Sequence, residues 1–267
     1  MTIRRFLKRT LLDRLPNKHR LFAERLNARV YMRHEPNLLK TLCDRHRDSI
    51  DVGANQGEYA LFLTQYSRRV YCFEPVAEMC EVLRHRFRGC DVTVECCALG
   101  EDSGESELAI PYADSGPLFT RSTFSVSGER HEQQRGNSFR RRRVPVRRLD
   151  DWKLTNVGFI KIDVEGFELH VLKGALQTIQ CNRPTLFMEI EQRFHQSVRI
   201  NEVCNWIASL GYHPYFVQRG RLGDIRHFDA DRCQQDVDSP NYVSNFLFVP
   251  SGSHAHRRAA RMVGPVA

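Results

Sequence analysis

From Asp48 onward the sequence alternates short β-rich runs with helical patterns, and this alternation restricts the chain to a layered α/β fold. "DSIDV" leads into the helical "GEYALFLTQY", and "RRVYCFE" into "AEMCEVLRHRF", with apolar Met79, Val82, Leu83 and Phe87; "DVTVECCAL" follows. Strand, helix, strand, helix, strand at this pitch predicts βαβ units and a parallel sheet. The pattern resumes with "VGFIKIDV", a nearly unbroken apolar run expected of a strand buried on both faces. After it come the helix-like "FELHVLKGALQTI", the strand "PTLFMEI", and "NEVCNWIASLG", with Asn201 as its expected N-cap and Gly211 as its stop. "YHPYFV" and "YVSNFLFVP" supply the last strands.

Three stretches stand outside this rhythm. Residues 1–47 read as a basic, helical N-terminal extension, and residues 251–267 as a flexible, basic tail, leaving residues 48–250 as the α/β domain. Residues 101–143 are rich in Ser, Gly, Arg and Glu, offer only "ELAIP" and "STFSV" as strands, and end in four arginines, Arg140 to Arg143. A segment of this length is expected to be an insertion or lid over a site, or partly disordered.

The net charge of +8 favours anionic surroundings without choosing among nucleic acid, a phosphate-bearing substrate or an acidic membrane. Nine cysteines without a single C-x-x-C pair exclude the usual zinc and thioredoxin spacings and predict reduced thiols in a cytoplasmic protein. No apolar run reaches the roughly 18 to 20 residues of a membrane span. The N-terminal "MTIRRFLKRTLLDRL" is interrupted by charge too often for a signal peptide. It is amphipathic, with Ile3, Phe6, Leu7, Leu11 and Leu15 near helical spacing and Arg4, Arg5, Lys8, Arg9 and Arg14 between them. Its ordinary role is a helix packed on the domain; its alternative is peripheral contact with an anionic membrane. The arginine run at 140–143 has two readings of the same kind: a solvated face, or capture of a phosphate or carboxylate on an acidic acceptor.

In an open parallel sheet the turn after the first strand faces a ligand. Here it is "DVGANQG", in which Gly53 is expected to turn the chain and Gly57 to let a ligand approach the backbone. Asn55 tolerates a left-handed backbone and adds an amide. Glu74, at the end of the second strand, is suited to accept hydrogen bonds from the two ribose hydroxyls of an adenosine. Asp51, opening the turn, would repel a pyrophosphate and attract an ammonium. A methyl donor carrying an ammonium and a sulfonium therefore fits better than a nicotinamide dinucleotide.

"IDVGANQGEYA", "FEP", "ALG", "RRLDDW", "FIKIDVEGFELHVLKGA" and "PTLFMEIE" occur in the order and approximate spacing of the FkbM family of S-adenosylmethionine-dependent methyltransferases, and the chain resembles that family over about residues 48–192. The resemblance implies a class I methyltransferase fold. This is Rossmann-like, with a mostly parallel seven-stranded sheet, one antiparallel strand near its end and helices on both faces. It implies S-adenosylmethionine as cofactor, held by Asp51, Gly53, Asn55, Gly57 and Glu74, with Ala98 beside the adenine at the third strand. It further implies O-methylation of a hydroxyl on a carbohydrate or small metabolite.

Asp163 and Glu165 of "KIDVEG" are the candidate catalytic pair, because methyl transfer to a hydroxyl needs the oxygen aligned and its proton accepted. Asp163 has a second candidate role, holding the methionine ammonium. Glu189 and Glu191 end the next strand nearby, but without a histidine at a set spacing no metal is assigned. His170 is expected on a helix surface, and His195 near the strand tip as a candidate base or substrate contact. Two other functions stay open: methylation of an RNA, which the missing RNA-binding module disfavours, and a non-catalytic, methyltransferase-like binding protein, for which the intact turn would have no use.

Overall fold

The computed structural model describes residues 17–264 apart from 33, 125, 196–198, 238 and 240, so the "MTIRRFLKRTLLDRL" segment lies outside the described residues. Two helices, α1 (Asn17–Met32) and α2 (Glu35–Leu42), precede the sheet. The α/β units follow as β1 (Asp48–Val52), α3 (Glu58–Tyr66), β2 (Val70–Phe73), α4 (Ala77–Arg86) and β3 (Val92–Glu95). Beyond the insertion come β8 (Val157–Ile162), α6 (Glu168–Gly174), α7 (Leu176–Asn182), β9 (Thr185–Glu189) and α8 (Ile200–Ser209). The chain ends with β10 (Tyr212–Gln218), β11 (Arg221–Asp224), α9 (Ala230–Cys233), β12 (Asn245–Pro250) and α10 (His254–Ala260).

The main sheet runs β11-β10-β12-β9-β8-β1-β2-β3. β3, β2, β1, β8 and β9 pair in parallel, and β12 runs antiparallel between β9 and β10. This is the expected methyltransferase-type sheet with one strand more. The eighth, β11, joins β10 through Arg219 and Gly220, both left-handed, the backbone a two-residue hairpin turn requires. Its sequence "RLGD" is too short and too polar to announce a strand.

β1 and β8 are buried along their whole lengths; β8 accordingly reads as a nearly continuous apolar run, whereas β1 buries Asp48, Ser49 and Asp51 beside Ile50 and Val52. One core cluster joins Ile50, Ile160 and Ile162 to α6, α7 and α8; a second joins Phe62, Phe159 and Phe187 to α1 and α2. Helix α8 starts at Ile200, so Asn201 lies within its first turn, while Gly211, left-handed at φ 83°, follows its end as expected.

The segment read as an insertion or lid folds into a second sheet. β4 (Ala98–Leu99), β5 (Gly104–Ala113), β6 (Gly116–Pro117) and β7 (Ser138–Arg147) run in the order β4-β7-β5-β6, and α5 (Val126–Gln134) lies between β6 and β7. "ELAIP" is indeed strand; in "STFSV" Thr123 makes an isolated β-bridge to Ala109, and Val126 already begins α5. The arginine run is the middle of β7, where Arg142 makes two bonds to Glu78 and Arg141 two to Glu129. The tail is also more regular than its composition suggests. The Ser253 side chain accepts the His256 N–H and starts α10, which buries Ala259 beside α2 and β12.

Candidate functional site

The chain leaves β1 for β2 on one flank and returns to β8 on the other, so a crevice opens above the carboxyl ends of β1 and β8. Of the expected cofactor-binding residues and catalytic pair, seven of eight line this one cleft: Asp51, Gly53, Asn55, Glu74, Ala98, Asp163 and Glu165. Gly57 does not. It caps α3 with φ 80°, and a Cβ there would fall 2.6–2.7 Å from Phe87 and Leu83. Its missing side chain serves the packing of α4, and the expected approach of a ligand is not the reason for it. Ala98 lines the cleft from a different strand than expected: the third strand of the main sheet is β3, and Ala98 opens the second sheet.

The turn after β1 is fixed from two sides. Gly53 and Ala54 donate their N–H groups to the Phe73 carbonyl, and Asp163 N–H donates to the Val52 carbonyl. Gly53 adopts φ 76°, and a Cβ there would lie 2.0 Å from the Asp163 carbonyl oxygen, so only glycine lets the β1 and β8 loops touch. Asn55 takes the left-handed backbone at φ 47°, and its N–H donates to Glu74 Oε2 at 2.8 Å. Glu74 Oε1 accepts the Val76 N–H at 2.8 Å. Two backbone donors thus hold a buried carboxylate that keeps lone pairs for a ligand diol. Burial raises Glu74 to about 7 despite those bonds.

Beneath the turn the site is acidic. Asp51 is 2% exposed, accepts the Ala60 N–H at 3.0 Å, and is pushed up to about 7 by burial, against the pull of Lys161. Lys161, fully buried on β8, brings its Nζ to 3.5 Å from Asp163 and 3.9 Å from Glu189, and sits 4.7 Å from the Tyr59 ring centre. Burial, with Asp163 adding to it, raises Glu189 to about 8. Sequence reasoning missed Lys161: a lone lysine inside an apolar run is a recognisable signal, because burying a cation requires partners.

On the other side of Asp163, Glu165 is left-handed at φ 49° and its carbonyl accepts the Thr123 hydroxyl at 2.7 Å. Burial raises its carboxyl well above the usual range, with Asp163, Glu189 and Glu191 adding to the effect. Glu191 is engaged by Arg193 at 2.8 Å and by the Tyr242 hydroxyl, and Arg193 lies 3.0 Å from His131 on α5. Leu108 of β5 and the segment between β6 and α5, with Phe119, Thr120, Ser122 and Phe124, line this end of the cleft. His195 sits 2.8 Å from Glu168, and both side chains are buried. Glu168 in turn accepts the Gly166 N–H, so the pair buttresses the turn after Asp163 and does not line the cleft. His170 stacks on Phe167 at the surface. Among the described residues no His, Cys, Asp and Glu cluster is arranged to hold a metal ion. All nine cysteines are free.

The cleft therefore suits a ligand with a cationic end over Asp51 and Asp163 and a diol at Glu74. A pyrophosphate would meet the carboxylates of Asp51, Asp163 and Glu165 with no arginine in the cleft lining to balance them.

The model of the methyltransferase FkbM domain matches residues 51–214, more than half of the chain. Among solved structures, methyltransferase FkbM from Methylobacillus flagellatus superposes with a TM-score of 0.50 at 20% identity, covering 77% of this chain and 44% of that one. The chain thus spans less than half the length of that relative. An rRNA methylase from Streptococcus thermophilus gives 0.44 at 11% identity, covering 83% of this chain and 95% of that one. TrmK of M. capricolum, in complex with S-adenosyl-homocysteine, gives 0.43 at 9% identity, covering 82% and 68% respectively. No curated protein sequence matches significantly.

Proposed function

This chain belongs to the FkbM methyltransferase family, and from that premise we propose that it transfers the methyl group of S-adenosylmethionine, its cofactor, to a hydroxyl of a carbohydrate or small-molecule acceptor. The observation that carries the reading is the pairing, in one cleft, of the acids Asp51 and Asp163 with the Glu74 carboxylate, which two backbone N–H groups hold. When bound, the cofactor supplies an electrophilic methyl on a sulfonium that leaves as a neutral thioether.

The rest falls to this chain's own side chains. Glu74 accepts the ribose hydroxyls, and the turn from Gly53 to Asn55 follows the cofactor's backbone. Ala98 and Leu99 flank the adenine. Asp51 and Asp163 hold the ammonium, with Lys161 keeping their charges in balance. Glu165 receives the proton of the acceptor hydroxyl; its raised pKa makes it a stronger base than an exposed glutamate. Leu108, Phe119 and Phe124 limit the acceptor's size and keep water from the reacting centre.

A nucleic-acid acceptor is not favoured, because Arg141 and Arg142 already satisfy Glu129 and Glu78. The free thiols support a cytoplasmic setting.

The test is transfer of labelled methyl from S-adenosylmethionine to a panel of sugars, glycans and hydroxylated metabolites, with RNA as comparison. Label on a hydroxyl, lost by about 100-fold or more in Glu165→Gln with cofactor binding retained, is the expected outcome. Label on RNA alone would replace the acceptor class, and undiminished transfer by the variant would remove Glu165 as the base.

A further inference from the structure

The excess charge of this protein is confined to one end. Residues 1–33 contain ten Lys and Arg against two Asp and Glu, an excess equal to the net charge of +8 of the whole chain, so residues 34–267 are balanced. The same end carries the exposed apolar surface. Six large apolar side chains are exposed among the described residues, and four of them, Phe22, Leu26, Val30 and Tyr31, belong to α1.

Phe22, Leu26 and Val30 are 59%, 54% and 77% exposed and recur every fourth residue, so they form one stripe along the helix. The opposite side of α1 is fully occupied. Leu21, Ala28 and Met32 are buried in the core; Arg25 donates to the Leu61 carbonyl and to Thr64; and Arg20 donates to the carbonyls of His85 and Arg86. The domain therefore fixes the helix in place and leaves the stripe outward. Tyr31 donates to Glu58 at 2.9 Å, and Glu58 lines the cleft, so the stripe ends beside the cleft's rim.

We propose that α1 and the basic residues at its end of the chain dock the protein on an anionic lipid surface, with Phe22, Leu26 and Val30 entering the headgroup boundary. Charge complementarity selects this occupant. A second copy of the chain would bring a like charge of the same size against the stripe. A nucleic acid would engage the cations and gain nothing from three aliphatic and aromatic side chains. A lipid surface with acidic headgroups satisfies both features, and membrane attachment of this kind needs two signals, which the basic segment and the apolar stripe supply.

The experiment is co-sedimentation of the full chain with vesicles of phosphatidylcholine alone or with about one quarter phosphatidylglycerol, at about 0.1 M and about 1 M salt. The comparison variant combines Phe22→Gln, Leu26→Gln and Val30→Gln, which keeps the charge and a helix-forming side chain at each position. Pelleting with anionic vesicles only, released by salt and weakened about tenfold or more in a variant of unchanged melting temperature, is expected. Failure to pellet with anionic vesicles overturns the proposal, as does a variant that binds them like the parent chain. Two further results also overturn it: a concentration-dependent dimer that the variant abolishes, or a short RNA that displaces the protein from vesicles at stoichiometric amounts.

Discussion

The Nζ of Lys161 lies 3.5 Å from Oδ2 of Asp163 and 3.9 Å from Oε2 of Glu189, placing a fully buried positive charge beside the acidic cleft that Asp51 and Asp163 line. Removing one member of a fully buried pair costs about 3–5 kcal/mol, and about 1–3 kcal/mol is expected here because Asp163 and Glu189 are 34% and 32% exposed. Lys161→Met is therefore expected to lose stability of that order in urea denaturation. The loss should be larger at pH 8 than at pH 6, because Asp51 and Glu189, raised to about 7 and about 8, ionise between those conditions. An equal loss at both pH values would separate Lys161 from the carboxylates.

Stability of the ligand-free protein should itself fall as pH rises. Asp51 and Glu74 sit near 7 in the fold against ordinary values of 3.8 and 4.5. Between those limits the folded chain holds protons that the unfolded chain has released, so raising pH favours unfolding. The stability is fully present below the unfolded values and is lost as pH passes the folded ones. Melting temperature is expected to decline from about pH 5 to about pH 8, with a shallower decline in Asp51→Asn. Affinity for the cationic cofactor should move the other way, rising as the same carboxylates ionise.

Gly53→Ala tests the contact between the two loops. Its φ of 76° and the Asp163 oxygen 2.0 Å from a Cβ combine strain with a backbone clash. Destabilisation of about 1–3 kcal/mol, together with lost cofactor binding, is expected. Gly252→Ala is the control: φ is 73°, but no atom lies within 4 Å of its Cβ, so only the conformational cost of about 1 kcal/mol should appear. Chemical denaturation of both variants measures the difference.

The sheet was legible because β8 is a nearly unbroken apolar run, buried along its whole length, and because β1 and β2 each lead into a helical pattern at βαβ pitch. The second sheet was not, because its strand β7 carries four consecutive arginines that hide the alternation; Arg142 meets Glu78 of α4 and Arg141 meets Glu129 of α5, 64 and 12 positions away. The cleft's acids could be read from spacing, since Asp51, Glu74 and Asp163 each end a strand. What each glycine does could not: the atoms that exclude a Cβ at Gly53 and Gly57 belong to Asp163, Phe87 and Leu83, distant in sequence. The pairing of His195 with Glu168 likewise depends on α6 and the loop after β9 meeting behind the turn.

The central claim is that this cleft binds S-adenosylmethionine through Glu74. Calorimetric titration with S-adenosylhomocysteine, with NAD as control and Glu74→Ala in parallel, tests it most directly. The account predicts binding of S-adenosylhomocysteine alone, weakened by about 1–3 kcal/mol in the folded variant, the usual cost of lost hydrogen bonds to a charged group. Binding of NAD instead, or of neither ligand, would contradict it.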